Sequence, residues 1–188
     1  MNKFLEIFLE TLKIFLIALA ITIPVRYFLF QPFFVSGASM EPTFSSGDYL
    51  LVDEISYRFR DPQRGEVVVF KRPNAEIYLI KRVVGLPFEE VEISDNKIII
   101  KNKDFPQGFV LDEPYINQDN FFKGGGNDLK IVLGEKEYFV LGDNRDHSSD
   151  SREFGAVKRD RFIGRVWLSF STEKGIDFFS VPQYSYNQ

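Results

Sequence analysis

The most apolar part of the chain lies near its beginning, where a run without charged side chains extends from Ile14 to Val25. This run contains twelve residues, whereas a helix that spans a bilayer needs about 20. Lys13 and Arg26 flank the run, and their long side chains can reach the lipid headgroups, which extends the usable length. The pattern therefore predicts an uncleaved membrane-anchoring helix within residues 1–34.

Aromatic residues follow the apolar run, as they do at membrane–water interfaces. They are Tyr27, Phe28, Phe30, Phe33 and Phe34. Two other interpretations of this region stay open: a helix buried in a protein core, and a secretion signal that is cleaved at Ala18-Leu19-Ala20. The tripeptide lies inside the apolar run, which argues against cleavage there.

Beyond residue 34 the apolar positions fall into short β-branched and aromatic runs, which are typical of strands. The candidate strands cover residues 49–55, 66–71, 77–84, 90–94, 97–101, 129–133, 137–141 and 162–170. Asp95-Asn96 separates two of these strands and predicts a tight hairpin. Because no long amphipathic helix is predicted after the anchor, we expect a mainly β body.

A length of 188 residues accommodates one domain in addition to an anchor, so residues 35–188 are expected to form a single β domain. Within it, the segment from Asp104 to Gly126 ends in a run of three glycines, which predicts an exposed, mobile insertion. The tail from Glu173 to Gln188 contains no second apolar segment. Its Phe178-Phe179 pair is expected to pack on the body.

The composition excludes several classes of function. The chain has no cysteine and one histidine, which removes thiolate chemistry and makes a metal site unexpected. The net charge is −4, and the part after residue 30 carries 20 basic and 25 acidic side chains, which argues against nucleic-acid binding by phosphate neutralisation. No cofactor is expected.

A candidate nucleophile, Ser39, follows the anchor in the stretch Ser36–Thr43, where small neighbours leave its hydroxyl accessible. A serine hydroxyl needs a base to react, and the bases seen beside nucleophilic serines are histidine and neutral lysine. His147 is the single histidine, and Lys81 is embedded in the apolar stretch Tyr78–Pro87. Three interpretations are open here: a Ser–Lys hydrolase, a Ser–His–Asp hydrolase that uses His147, and an anchored β module that binds partners without catalysis.

A third block, Gly142–Gly155, has the sequence GDNRDHSSDSREFG. Together with Ser36–Thr43 and Tyr78–Pro87, in this order behind an apolar segment, it resembles the type I signal peptidase family. The resemblance extends to about Ser169. It implies an N-terminal transmembrane helix followed by a signal-peptidase-type β-core, with a small β cap insertion at about residues 88–136.

The resemblance also implies roles for individual residues. Ser39 is expected to be the nucleophile and Lys81 the general base, with Ser148 hydrogen-bonded to the lysine to orient it. Lys81 has to be buried among apolar groups, because a lysine in water titrates near 10.4 and would be protonated at neutral pH. The supporting residues are expected to be Arg82, Asp143, Arg145, Asp150 and Arg152, and the substrate-binding residues Ala38, Met40, Leu79 and Ile80.

The implied activity is cleavage of N-terminal signal peptides from exported preproteins, after small residues at the minus-three and minus-one positions. The implied partners are preprotein signal peptides, the lipid bilayer and the protein export machinery. The implied location is the plasma membrane, crossed once, with the N-terminus in the cytoplasm and the catalytic domain on the outer or periplasmic side. A relative that cleaves only itself or one dedicated partner is an alternative, because the Ser/Lys β-fold also serves self-cleaving repressors.

Three features depart from the family pattern. Gly37 stands where some members have a serine whose hydroxyl is an oxyanion donor, so the second donor is not identified here. Phe88-Glu89 replaces a common Gly-Asp pair, and Phe154 replaces a common tryptophan. The last two affect the local backbone and the membrane-facing surface rather than a residue that transfers a proton.

Overall fold

Strands make up most of the regular structure after residue 28. The computed structural model describes residues 3–28, 30–116, 128–172, 174–182 and 184, with side chains at all of these outside 24–30. The helices are α1 (Lys3–Phe28), α2 (Ser56–Phe59) and α3 (Ser151–Phe154). The strands are β1 (Phe30–Phe34), β2 (Tyr49–Asp53), β3 (Val67–Lys71), β4 (Tyr78–Gly85), β5 (Glu90–Ser94), β6 (Lys97–Lys101), β7 (Phe109–Val110), β8 (Leu129–Val132), β9 (Glu137–Leu141), β10 (Val157–Lys158), β11 (Phe162–Ser171) and β12 (Gly175–Phe178). The prediction of a mainly β body is confirmed.

The chain begins with the helix that the apolar pattern predicts, α1. Its large apolar side chains are exposed, with Phe4 at 82% and Ile14 at 69% of their full accessible area. In the part of the chain that the structure describes, no helix combines the length and the apolarity needed to cross a membrane. The helix thus presents an apolar surface that the β body leaves uncovered.

An edge strand, β1, follows α1 and was not predicted from the sequence. It pairs antiparallel with β2 along its whole length. The strand contains Pro32 and lacks the alternation of apolar and polar positions, which concealed it in the sequence. Proline is tolerated here because an edge strand leaves one row of N–H groups unpaired. The side chains of Tyr27, Phe28 and Phe30, part of the predicted interfacial belt, lie outside the described ones.

The larger sheet contains eight strands in the order β1-β2-β11-β3-β4-β9-β10, with β12 paired to β11. Strand β11 pairs with β2 on one side and with β3 and then β12 on the other. Strand β4 pairs with β3 over residues 78–82, whereas its pairing with β9 begins at Arg82. Among the described strands, the first half of β4 therefore has a neighbour on one side only and keeps one free edge.

The smaller sheet has the order β7-β6-β5-β8 and falls inside residues 88–136, the span expected for the cap insertion. Strands β5 and β6 form the predicted hairpin. Asp95 and Asn96 have φ values of 48° and 61°, the left-handed conformation that a two-residue type I′ turn requires. This division of the body into a core and a cap remains a proposal.

The segment predicted to be an exposed insertion is partly packed where the structure describes it. Phe109, Leu111 and Ile116 are at most 8% exposed, and Phe109 belongs to strand β7. These three apolar side chains pack inward, whereas Asp104, Pro106, Gln107, Val110, Asp112 and Pro114 are exposed, as the sequence predicted. The glycine run lies in residues 117–127, outside the described part of the chain.

Three apolar clusters form the core. The first lies between the smaller sheet and strands β4 and β9, and the second joins β3, β4, β9 and β11. The third contains Val35, Met40 and Phe44 and fastens the loop after β1 to the larger sheet. Phe179 packs against this cluster, with its ring centroid 5.7 Å from that of Phe44, as expected for the C-terminal tail.

The departures from the family pattern are accommodated locally. Phe88 is 67% exposed and has a φ of 65°, which costs an L-residue about 1–2 kcal/mol. Glu89 is buried and accepts two hydrogen bonds from Arg64, at 2.6 and 2.8 Å. Its carboxylate also accepts a hydrogen bond from the Leu86 N–H, which stabilises the turn between β4 and β5. Phe154 packs against Phe70 in the second cluster.

Gly85 provides a test of the packing between the two sheets. A Cβ at this position would lie 2.5 Å from Val91, 2.8 Å from Leu133 and 2.9 Å from Phe139. We expect Gly85→Ala to lower the free energy of unfolding by about 1–3 kcal/mol, because the core has no room for the methyl group. Thermal or urea unfolding measures this loss.

Gly134→Ala is the matched control, since its Cβ would first meet the carboxylate of Glu137, at 3.1 Å. That carboxylate ends a flexible side chain and can move aside. A Gly85→Ala protein as stable as Gly134→Ala would contradict the tight junction between the sheets.

Candidate active site

Strand β4 and the loop after β1 bring Ser39 and Lys81 into contact. The Lys81 Nζ lies 2.7 Å from the Ser39 Oγ and also donates to the carbonyl oxygen of Ile80, at 2.8 Å. Lys81 is paired with Val68 on β3 and lies one residue before the pairing of β4 with β9 begins. The two residues that sequence reasoning selected as nucleophile and base are therefore adjacent.

Burial controls the ionisation of Lys81, which is 2% exposed. Loss of hydration disfavours the ammonium and lowers the pKa of Lys81 to about 8. The carboxylates of Asp150 and Asp143 oppose this change by attracting the ammonium, whereas Arg152 adds to it. At pH 7, about a tenth of the molecules then carry the neutral amine that can accept a proton.

Arg82 and Asp143 form a buried ion pair beside this dyad. The Arg82 Nε and Nη2 donate to the two Asp143 carboxylate oxygens at 2.9 and 2.6 Å, and both residues are at most 1% exposed. The Arg82 Nη1 donates to the Gly65 carbonyl oxygen, at 2.9 Å. Thr43, in the loop that carries Ser39, donates its hydroxyl to the same carboxylate at 2.5 Å. The pair therefore links β4 to the loop that carries Ser39 and to the loop after β9.

Asp150 holds the loop after β9 by similar contacts. It is fully buried, accepts the Gly142 N–H at 3.1 Å and forms an ion pair with Arg152 at 2.8 Å. Arg145 is paired with Glu113, at 2.5 Å, a partner that sequence reasoning missed. All five predicted supporting residues thus lie in this polar network, and Glu113 joins them from the predicted insertion.

The predicted hydrogen bond between Ser148 and Lys81 is not made in this structure. The Ser148 Oγ is buried and has no hydrogen-bond partner among the described residues. It packs closely against Gly142, since a Cβ there would come within 2.2 Å of the Ser148 Oγ and 2.5 Å of the Ser39 carbonyl oxygen. Glycine at position 142 is therefore required for the loop to approach the nucleophile.

A cleft of about 140 Å³ opens beside the dyad. Ser39 and Lys81 contribute to its wall, with the predicted substrate-binding residues Leu79 and Ile80. The other lining residues are Phe33, Phe34, Val35, Ser36, Leu50, Val69 and Tyr78. The cleft is mainly apolar, and the half of β4 that pairs with β3 alone contributes to its wall.

Two of the predicted substrate-binding residues are not part of this cleft. Met40 is fully buried in the third apolar cluster, which corrects the expectation that it lines a substrate pocket. Its side chain contributes to the core because the turn that exposes Ser39 directs the next residue inward. Ala38 is exposed but lies outside the cleft wall.

His147 does not form a catalytic triad with Ser39. It is exposed, and its Nδ1 lies 3.3 Å from the Oδ1 of Asn144. The Ser39 hydroxyl contacts Lys81, as the Ser–Lys interpretation requires. Among the described residues, no group of three or more acidic, histidine or cysteine side chains is placed to hold a metal ion.

Asn144 contacts the nucleophile turn directly. Its backbone N–H donates to the Ser39 carbonyl oxygen at 3.1 Å, and its side-chain Nδ2 donates to the Ala38 carbonyl oxygen at 3.2 Å. Asn144 is 8% exposed. It belongs to the third sequence block, but nothing in the sequence pattern indicated this contact.

Comparison with known proteins gives the affiliation of the chain. Residues 8–171 match the sequence profile of the family described as signal peptidase, peptidase S26. The chain is 36% identical to the "Probable signal peptidase I-2" of Synechocystis over 86% of its own length and 72% of that protein. It is 34% identical to signal peptidase I V of Bacillus subtilis, over 80% of this chain and 91% of that protein.

The chain also matches signal peptidase IB of Staphylococcus aureus at 31% identity, over 91% of its own length and 90% of that protein. A crystal structure of a signal peptidase I from Enterococcus faecalis aligns with a TM-score of 0.48 and 34% identity, over 56% of this chain and 97% of that one. The sequence matches alone are sufficient for the assignment. The chain belongs to the signal peptidase family, peptidase S26.

Proposed function

We propose that this chain is a serine endopeptidase that removes N-terminal signal peptides from exported preproteins, with Ser39 as nucleophile and Lys81 as general base. The observation that carries the proposal is the 2.7 Å contact between the Ser39 Oγ and a buried lysine amine. Membership of the signal peptidase family supports the substrate class. It also argues against a binding module without catalysis.

In the proposed reaction, the neutral Lys81 amine accepts the hydroxyl proton as the Ser39 Oγ attacks the carbonyl carbon of the scissile bond. The resulting oxyanion is stabilised by the backbone N–H of Ser39. The Lys81 ammonium then protonates the leaving nitrogen, the C–N bond breaks, and an ester with Ser39 remains. Lys81 next accepts a proton from the water that hydrolyses this ester.

The surrounding charges suit this cycle. Arg82 and Arg152 pair with Asp143 and Asp150, which limits the attraction of the two carboxylates for the Lys81 ammonium without removing it. The carbonyl oxygen of Ile80 accepts one N–H of the lysine and fixes its direction. We propose that Ser148, whose hydroxyl is buried and unpaired among the described residues, becomes a further partner of the lysine during turnover.

The cleft supports recognition of an extended peptide with small side chains. Its free β4 edge can add a substrate strand by backbone hydrogen bonds, while Leu79 and Ile80 form part of a shallow apolar wall. A volume of about 140 Å³ suits small side chains near the cut. This agrees with cleavage after small residues at the minus-three and minus-one positions.

We further propose that α1 anchors the enzyme in the plasma membrane, crossed once, with the N-terminus in the cytoplasm and the β body on the outer or periplasmic side. The exposed apolar side chains along α1 support this proposal. The proposed partners are the signal peptides of preproteins, the lipid bilayer and the protein export machinery. The anchor would hold the cleft near substrates that are themselves in the membrane.

Ser39→Ala and Lys81→Met test the dyad in a cleavage assay on a membrane-presented preprotein. Each change should remove nearly all turnover, and the double change should cost little more, because both groups act in the same proton transfer. Lys71→Met is the control, since this lysine ends β3 and is not part of the cleft wall. Strong cleavage by folded Ser39→Ala would reject the mechanism.

The pKa of Lys81 predicts how the activity and the stability of the protein depend on pH. The value of kcat/KM should rise as the pH passes about 8, because the base is the deprotonated amine. Below this pH the folded protein bears a buried ammonium, so Lys81→Met should raise the free energy of unfolding by up to about 3 kcal/mol.

That gain should shrink as the pH rises from about 8 to above 10.5, the ordinary lysine value, because the folded protein then releases the proton before the unfolded chain does. Urea unfolding at several pH values, with Lys71→Met as reference, measures the difference. A gain that does not depend on pH would show that burial does not control the ionisation of Lys81.

Removal of residues 1–29 tests the anchor. The β body should keep its fold, and cleavage of short soluble peptides should fall less than cleavage of preproteins in vesicles, because the helix serves to locate the enzyme. Circular dichroism and the two cleavage assays distinguish these effects. An equal loss with both substrates would indicate instead that α1 supports the active fold.

A further inference from the structure

Asn144 is the one residue that holds two successive carbonyl groups of the nucleophile turn among the described contacts. Its backbone N–H reaches the Ser39 carbonyl oxygen, and its side-chain amide reaches that of Ala38. The side chain itself does not line the cleft. Asn144 therefore acts on the backbone that carries the nucleophile, without contact to the space where a substrate binds.

The hydrogen bond to Ala38 has a consequence for Ser39. The peptide bond between these two residues is trans. In a planar trans peptide, the C=O and N–H groups point in opposite directions. By holding the Ala38 carbonyl on its own side of this peptide, Asn144 directs the Ser39 N–H to the opposite side, away from Asn144.

We propose that Asn144 is a positioning residue that presets the Ser39 N–H as the donor to the oxyanion. This inference rests on the proposed function, because it requires Ser39 to be the nucleophile. Without the amide, the Glu41 N–H, at 3.2 Å, is the remaining described donor to the Ala38 carbonyl oxygen. Rotation of this peptide would turn a carbonyl oxygen toward the developing negative charge and remove the stabilisation.

His147 completes the arrangement. The Asn144 Oδ1 can only accept a hydrogen bond, so the His147 Nδ1, 3.3 Å away, acts as the donor. Because the Ala38 carbonyl oxygen can only accept, it selects the amide orientation in which Nδ2 faces it, and the His147 tautomer with a proton on Nδ1 is compatible with this orientation. The histidine that the sequence offered as a rival base thus lies beside Asn144 and can support its orientation.

Asn144→Asp and Asn144→Leu test the inference in the full-length chain in detergent micelles, with a peptide substrate that carries a signal-peptide cleavage site. Both changes nearly preserve side-chain size and keep the backbone N–H. Neither an ionised carboxylate nor an isobutyl group can donate to the Ala38 carbonyl. We expect kcat to fall about 10- to 100-fold, with KM changed by less than about threefold.

Rates are compared on the plateau above the pKa of Lys81, so that the carboxylate introduced by Asn144→Asp does not act through the ionisation of that lysine. Asn74→Asp, the same change at an exposed turn, is the control for added charge.

A peptide aldehyde provides a readout that simple loosening of the fold would not reproduce. The Ser39 Oγ adds to the aldehyde carbon, and the former carbonyl oxygen of the resulting hemiacetal lies where the oxyanion forms. We expect the inhibition constant of the aldehyde to rise by the same factor as kcat/KM falls in the two variants, because both report the same donor.

Melting temperatures establish whether the variants are folded. If Asn144→Leu proves unstable, the isosteric Asn144→Asp provides the test. If the wild type cleaves the substrate and a folded Asn144 variant has a kcat within about twofold of the wild-type value, this inference is overturned and the proposed function stands. Absence of wild-type cleavage would reject the proposed function and this inference with it.

Discussion

The structure depends on one constraint: an amine has to be buried deeply enough to lose its proton near neutral pH and still reach a serine hydroxyl. Position 81 meets both conditions, because it is 2% exposed on strand β4 and lies next to the loop that carries Ser39. Burial lowers the pKa of Lys81 to about 8. Perturbed pKa values of this kind are common at functional sites.

Two buried carboxylates make that constraint harder to satisfy. Asp143 and Asp150 attract the ammonium form of Lys81, and each is matched by an arginine, Arg82 or Arg152. A buried ion pair is stable when its remaining donors and acceptors are satisfied. Arg82 meets this condition, because its Nε, Nη1 and Nη2 all have acceptors.

The network extends into the segment between β7 and β8. Glu113 forms an ion pair with Arg145 at 2.5 Å, and the Tyr115 ring lies 3.8 Å from the guanidinium carbon of Arg82. Both contacts are made to arginines that are at most 2% exposed. The smaller sheet and its flanking residues therefore help to fix the charges around the site, in addition to packing against the core.

The sequence by itself determined the apolar N-terminal helix and most strands of the body, because these follow from local periodicity. Its three blocks also pointed to Ser39 and Lys81, through their resemblance to a known family. The tertiary structure decided that Met40 is buried, that Phe30–Phe34 form a strand, and that Glu113 and Asn144 reach the site. These features depend on sheet register and on contacts between distant segments. A buried charge or carbonyl group is stabilised by a hydrogen-bond or ion-pair partner from another part of the chain, and only the fold shows which residue that partner is.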